Sequence, residues 1–177
     1  MPPDPDADSV PADPVTLRPA TPADAAALDA LLAESYPTLL AGHYDAETLA
    51  RALPPMTRAN PGLLAAGTYY VAATAGRIVA CGGWTAEQPG TGTVAAGEAH
   101  IRHFAALPAF TGRGIGTAVL ARCIAETTAR DLTTLTCFST LNAVPFYARS
   151  GFVALGPLAV TLAPGVVFPA VLMRRTG

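Results

Sequence analysis

Past a polar opening, the apolar positions of the chain fall into two alternating rhythms. Val15 to Ala20 (VTLRPA) alternates as a short strand. Thr21 then reads as a helix N-cap, with Pro22 at the first helical position, Asp24 in the first turn, and Leu28, Leu31 and Leu32 as an apolar stripe. This helix is expected to end near Ser35 and Pro37. Asp45 heads a second, shorter helix, AETLARAL, closed by Pro54 and Pro55, and Asn60-Pro61-Gly62 reads as a turn.

The rhythm then changes to strands. Thr68 to Thr74 and Arg77 to Thr85 predict a hairpin about Ala75-Gly76, and a further strand runs from Glu98 to about Leu107. Gly112 to Gly116 open a helix with Ile115, Val119, Leu120, Cys123 and Ile124 on one face, ended by Asp131. A strand over Leu132 to Phe138, a short helix around Asn142 to Ser150 stopped by Gly151, and strands near Val153–Leu162 and Val166–Met173 complete the chain. The order predicts a mixed α/β domain without internal repeats.

With 177 residues, 51% of them hydrophobic, the chain suits one globular domain, expected over residues 15–177. Residues 1–14 hold four Asp, five Pro and no base, which predicts a disordered acidic tail. Without those acids, nine carboxylates face eleven bases, all of them Arg, a mild surplus suited to an anionic ligand. The pI of about 5.8 argues against a nucleic-acid partner. Three scattered Cys form neither a disulfide framework nor, with three scattered His, a zinc-ligand spacing, so free thiols and no metal are expected. The start lacks a basic-then-apolar leader, and Pro157, Pro164, Gly165 and Pro169 cut the most apolar late stretch too short to span a bilayer. The expectation is a soluble, cytoplasmic protein with no membrane partner, monomer or homodimer.

Chemistry concentrates in Glu98 to Thr117, EAHIRHFAALPAFTGRGIGT, where a strand enters a glycine-rich turn and then a helix. Backbone N–H groups and the positive end of the helix converge there on a place suited to a pyrophosphate. An NTPase loop is excluded, since the chain contains no Lys. A dinucleotide fingerprint fails because Thr117 stands where its last Gly belongs.

The run Ala106 to Thr117 resembles the acyl-CoA motif of the GNAT superfamily of N-acetyltransferases, Q/R-x-x-G-x-G/A at a helix start, with Thr111 at the Q/R position and Gly114 and Gly116 as its glycines. Thr111 departs from that pattern. Asn142 to Phe152 (NAVPFYARSGF) resembles the family's N-x-x-x-x-F-Y-x-x-x-G-F element, and VVFPAVLMRR its closing strand, so the resemblance spans about residues 15–175. It implies a GNAT-like mixed, mostly antiparallel sheet of about six to seven strands with about four helices. It also implies acetyl-CoA as co-substrate and acetyl transfer to a primary amine of a small molecule or peptide, by direct attack in a ternary complex.

The resemblance further implies roles for residues. Backbone amides of Phe104 and Ala106 face the pantetheine arm and acetyl oxygen. Thr111, Gly112, Arg113, Gly114, Ile115, Gly116 and Thr117 hold the pyrophosphate, and Asn142 contacts the CoA arm. Tyr147 lies near the sulfur as general acid. For the base, strand alternation places Glu98, His100, Arg102, Phe104 and Ala106 on one face and His103 on the other. His100 is the first candidate, with Glu98 as the alternative. Arg102 either binds an anionic group or pairs with Glu98, and His103 reads as a packing residue. Cys81, Cys123 and Cys137 read as small core residues. Two other readings stay open: a non-catalytic acyl-CoA-binding sensor, and a small nucleotide-binding protein.

Overall fold

The chain enters β1 (Thr16–Pro19) and turns at Thr21, whose N–H donates to the Asp24 carboxylate at 2.8 Å. The same carboxylate accepts two bonds from Arg18, at 2.7 and 2.8 Å, so strand and helix start are tied together before α1 (Ala25–Leu39) begins. The structure, a computed structural model, describes residues 13–177, so the acidic tail expected over 1–14 lies, apart from Asp13 and Pro14, outside the described residues.

Three boundaries at prolines differ from expectation. Helix α1 runs past Ser35 and Pro37 to Leu39, because a proline in the last turn removes a single donor and Leu40 N–H still reaches Tyr36 O at 3.0 Å. Helix α2 (Ala46–Met56), capped by Asp45, whose side chain accepts Thr48 N–H at 2.7 Å, continues through Pro54 and Pro55. Thr57 closes it, donating amide and hydroxyl to Leu53 O at 2.9 and 2.8 Å. Asn60-Pro61-Gly62 begins a short helix, α3 (Pro61–Ala65), since Asn60 Oδ1 accepts the amides of Gly62 and Leu63 and Pro61 sits at the first helical position.

β2 (Tyr69–Thr74) and β3 (Arg77–Thr85) form the expected hairpin, with Ala75 and Gly76 at φ 49° and 75°. β4 (Glu98–Ala106) is followed by α4 (Ile115–Ala129), which crosses over to β5 (Thr134–Ser139). β5 starts later than the sequence suggests, because Leu132 N–H is still held by Thr127 O at 3.0 Å. α5 (Val144–Ala148) and the long hairpin β6 (Val153–Ala163) and β7 (Val166–Thr176) follow. The seven strands lie in the order β1-β2-β3-β4-β5-β7-β6, antiparallel except for β4 and β5. This is the mixed, mostly antiparallel sheet that was expected.

Neighbouring residues on β2 define the two faces. The Tyr70 hydroxyl bonds to Glu126 of α4, which also accepts the Trp84 indole N–H, so α4 covers one face. Tyr69 points to the other, where α1 packs on β3 and β4. Leu28, Leu32, Val71, Val79, Val119, Leu120 and Leu135 fill the core between sheet and helices at 0–1% exposure, each contributing about 1.5–3 kcal/mol by burial.

One irregularity decides where the site lies. β3 and β4 pair at Gly83↔Arg102 and again at Cys81↔Ala105, so His103 and Phe104 stand against Gly82 alone. His103 takes φ 49°, which makes this a β-bulge. It overturns the expected alternation. Arg102 and His103 both face α1 and α2, and Phe104 swings to the opposite face, its ring across the bare Cα of Gly82.

Two outcomes test these features. A Cβ at Gly82 would sit 2.5 Å from the Phe104 ring, so Gly82→Ala is expected to cost about 1–3 kcal/mol in urea unfolding; an unchanged midpoint would mean the ring is not held there. The Arg18 guanidinium holds the Asp24 carboxyl down at about 2, against 3.8 unperturbed. A depressed carboxyl stabilises the fold above its unfolded value and loses that contribution as pH falls through its folded value. Asp24→Asn should therefore cost about 1–2 kcal/mol at pH 7, allowing for the exposure of Arg18, with the difference from wild type vanishing between about pH 4 and 2.

Candidate active site

β4 and β5 pair only from Glu98↔Thr134 to His100↔Thr136. β5 then stays with β7 as far as Ser139, and β4 runs on alone along that side. Leu107 N–H donates to Val79 O at 2.9 Å, so strand alternation turns the amides of Ala106 and Phe104 away from β3 and into the gap. The carbonyls of this stretch are occupied from the α1 face. Tyr69 Oη donates to His103 O at 2.8 Å, Tyr36 Oη to Phe104 O at 3.1 Å, and Ser35 Oγ to Ala106 O at 2.6 Å. The His103 ring lies parallel to Tyr36 at 5.8 Å and donates through Nε2 to Met56 O at 3.1 Å. It is a packing residue, although on the face opposite to the one expected.

The bonds of Ser35, Tyr36 and Tyr69 to the β4 carbonyls were not expected from the sequence. Their signal was available in part: Ser35 sits in the apolar stripe of α1 and is 0% exposed, and a buried hydroxyl needs a partner. Which carbonyl it serves depends on the bulge.

At the end of β4 the chain makes a tight turn over Pro108–Phe110, and the Thr111 hydroxyl donates back to Pro108 O at 2.9 Å. Gly112 and Gly114 follow at φ 72° and 77°, a conformation in which any other residue is strained. Open space surrounds both Cα atoms. The first α4 amide with a helical partner is that of Ala118, bonded to Gly114 O at 2.9 Å. The N–H groups of Ile115, Gly116 and Thr117 thus stand at the uncapped helix start. Gly116 is less open: a Cβ there would meet the Phe146 ring at 3.4 Å, in ordinary van der Waals contact. Arg113 lies over the Phe110 ring, 4.9 Å from its centroid.

α5 brings Tyr147 beneath this loop. Its ring is enclosed edge-on by Phe104, Phe146 and Phe152 at 6.1, 5.0 and 5.6 Å, and only 5% of the residue is exposed. Burial raises the phenol well above its usual value of 10, so it is neutral at physiological pH. Its polar neighbour is the Cys137 thiol, itself pushed up to about 12 by burial and therefore no nucleophile. Cys81 and Cys123, at about 11 and 12, are equally inert. Asn142 lies within the turn Leu141–Ala143 that precedes α5, where its Oδ1 accepts the Thr140 hydroxyl at 2.7 Å. This leaves the amide NH₂ without a protein acceptor among the described residues.

His100 sits where β4 and β5 part, 5% exposed, with Nδ1 against the Thr136 hydroxyl. Desolvation pulls its pKa down, the Arg102 charge acts in the same direction, and Glu98 acts against both. The imidazole is neutral at pH 7. Glu98 is half-buried at the strand start, on the same face. Arg102 does not pair with it: Arg102 Nη1 donates to Thr85 Oγ1 at 2.8 Å. On the far side of the α1 face, Tyr44 Oη donates to Pro169 O and accepts Leu141 N–H, both at 2.8 Å, while its ring stacks on Phe168 at 4.3 Å. Among the described residues, no helix is long and apolar enough to cross a membrane.

Comparison with known proteins gives this arrangement a place. The family model described as Acetyltransferase (GNAT) domain matches residues 55–162. No curated protein matches the chain. Among solved structures, a GCN5-related N-acetyltransferase from Rhodopseudomonas palustris superposes with a TM-score of 0.75 at 23% identity, covering 94% of this chain and 98% of that one. The PaiA N-acetyltransferase from Thermoplasma acidophilum, in complex with coenzyme A, gives 0.69 at 14% identity over 93% and 99%. A GNAT family acetyltransferase from Brucella melitensis, in complex with acetyl-CoA, gives 0.57 at 19% identity over 80% and 84%. At these identities the structural matches show the fold, the family model covers more than half of the chain, and the chain belongs to the GNAT acetyltransferase family.

Proposed function

We propose that a single domain over residues 15–177 moves an acetyl group from acetyl-CoA to the primary amine of a small molecule or peptide, by direct attack in a ternary complex. The observation that carries this reading is the parting of β4 from β5 after His100, which aims the Phe104 and Ala106 amides into a gap beside Tyr147. The glycine loop at the end of the same strand has open amides and open space at Gly112 and Gly114, which suits a pyrophosphate. The Asn142 amide and the amides of Gly112 to Thr117 would hold the CoA arm. Thr111 contributes backbone only, since its hydroxyl is engaged with Pro108. Relatives solved with coenzyme A and acetyl-CoA support the choice of co-substrate.

Acetyl-CoA supplies an activated carbonyl and a good leaving group; the chain supplies geometry and proton control. An amine arrives mostly as ammonium and attacks only when neutral. His100 serves as the base when its Nδ1–H donates to Thr136 Oγ1, leaving the Nε2 lone pair free to take a proton through water, with Glu98 as the alternative. The Phe104 amide, already turned into the gap, bonds the carbonyl oxygen as charge grows on it. Tyr147 donates a hydrogen bond to the departing sulfur. A buried phenol well above 10 is a weaker acid than a thiol near 8.5, so the thiolate is stabilised first by that bond. The proton released by the amine balances the one the thiolate finally takes.

Tyr147→Phe should lower kcat about 100-fold and leave the acetyl-CoA Kd within about twofold; an unchanged kcat removes Tyr147 from the reaction. Acetyl-CoA binding without CoA release on any amine of a broad panel would leave the sensor reading instead.

The lowered pKa of His100 places the acid limb of kcat/KM below pH 6.5. In His100→Gln the limb should disappear, with activity at pH 7 reduced about 10- to 100-fold. An identical limb in the variant would transfer the role to Glu98.

A further inference from the structure

Arg102 is the one half-buried guanidinium on the face where an acceptor would approach His100, and it has no carboxylate. The five ion pairs among the described residues belong to Arg18, Arg51, Arg58, Arg77 and Arg130. Arg113, Arg122, Arg149 and Arg174 also lack a carboxylate, but they are exposed and water hydrates them, and the half-buried Arg175, on β7, donates through Nε to Ser150 O at 3.2 Å. Arg102 is partly withdrawn from water; burial disfavours its charge, and the Glu87 carboxylate offsets this only in part, without forming an ion pair with it. One of its five N–H donors goes to Thr85 Oγ1, and the Thr85 proton goes on to Glu87 O at 2.8 Å, which fixes the hydroxyl as an acceptor toward Arg102. The other four N–H groups have no protein acceptor among the described residues. A half-buried cation with an unused planar fork is the arrangement that takes a carboxylate in two parallel bonds.

Position supplies the second half. Arg102 and His100 are two residues apart on one face of β4, roughly 7 Å between Cα atoms. Just beyond Arg102, the bulge turns the Phe104 amide into the gap. An amine poised at His100 and a carboxylate on Arg102 must therefore belong to one short molecule. Glu98, further back on the same face, balances the charge of the incoming ammonium. A simple amine or polyamine leaves the guanidinium unpaired, and so does a peptide amino terminus whose first residue is not acidic.

We propose that the acceptor is a free α-amino acid and that Arg102 binds its carboxylate. This rests on the proposed acetyl transfer, and the test separates the two. Each of the twenty amino acids and its α-carboxamide is titrated calorimetrically into the protein saturated with CoA, and CoA release from acetyl-CoA is measured with the same ligands. At least one amino acid should bind about 10- to 100-fold more tightly than its amide, with the same ratio in KM. Arg102→Gln should bring the amino acid down to the level of the amide while the affinities for the amide and for acetyl-CoA stay within about twofold. Arg102→Lys should recover part of the difference.

Equal binding of acid and amide, a parallel loss of both in Arg102→Gln, or no amino acid binding below about 10 mM overturns the carboxylate site. CoA release with amides or plain amines in that case retains acetyl transfer. Carboxylate-dependent binding that Arg102→Gln abolishes, without CoA release on any ligand, retains the site and removes the transfer.

Discussion

The structure turns on three hydroxyls that occupy the carbonyls of one bulged strand. A strand that leaves its neighbour exposes donors and acceptors together, and unpaired groups of either kind are costly once buried. Tyr69, Tyr36 and Ser35 satisfy the carbonyls of His103, Phe104 and Ala106 from one side. What remains toward the gap is a row of amides, a surface of one electrostatic sign. β4 is therefore able to leave β5 with its carbonyls satisfied and only its donors unpaired.

The elements that hold this gap open serve the glycine loop as well. Phe104 lies over Gly82 on one side and meets Tyr147 on the other, so the bulge helps to position the Tyr147 phenol. Phe146 fits against the bare Cα of Gly116 and lets α5 approach the start of α4. α4 is in turn fastened to β2 and β3 through Glu126, which bonds Tyr70 and Trp84 and pairs with Arg130. Loop, bulge and phenol are thus parts of one packed unit.

Much of this was legible in the residues. The hairpin at Ala75-Gly76, the strand–loop–helix at Glu98 to Thr117 and the Asn142 to Phe152 element each carry turn or cap chemistry that acts locally, and local chemistry survives folding. The misplaced helix ends share a cause. Proline was read as a stop at Pro37, Pro54 and Pro55 and as part of a turn at Pro61, but near a helix end it removes donors that the next residues replace, and at the first helical position it removes nothing needed. The reversed face at His103 was invisible because a bulge is specified by the partner strand: only the pairing of Gly82 with Phe104, twenty-two residues apart, reveals it. For the same reason the bonds of Tyr36 and Tyr69 to this strand could not be read from their spacing.

Tyr44 carries a last consequence. One phenol joins three separate stretches of chain: the link between α1 and α2, the β7 backbone at Pro169, and the turn at Leu141 that leads to Tyr147. Its hydroxyl both donates and accepts, so these stretches cannot part by small steps. Separating them breaks two bonds and a ring stack at once, and the three behave as one clamped unit.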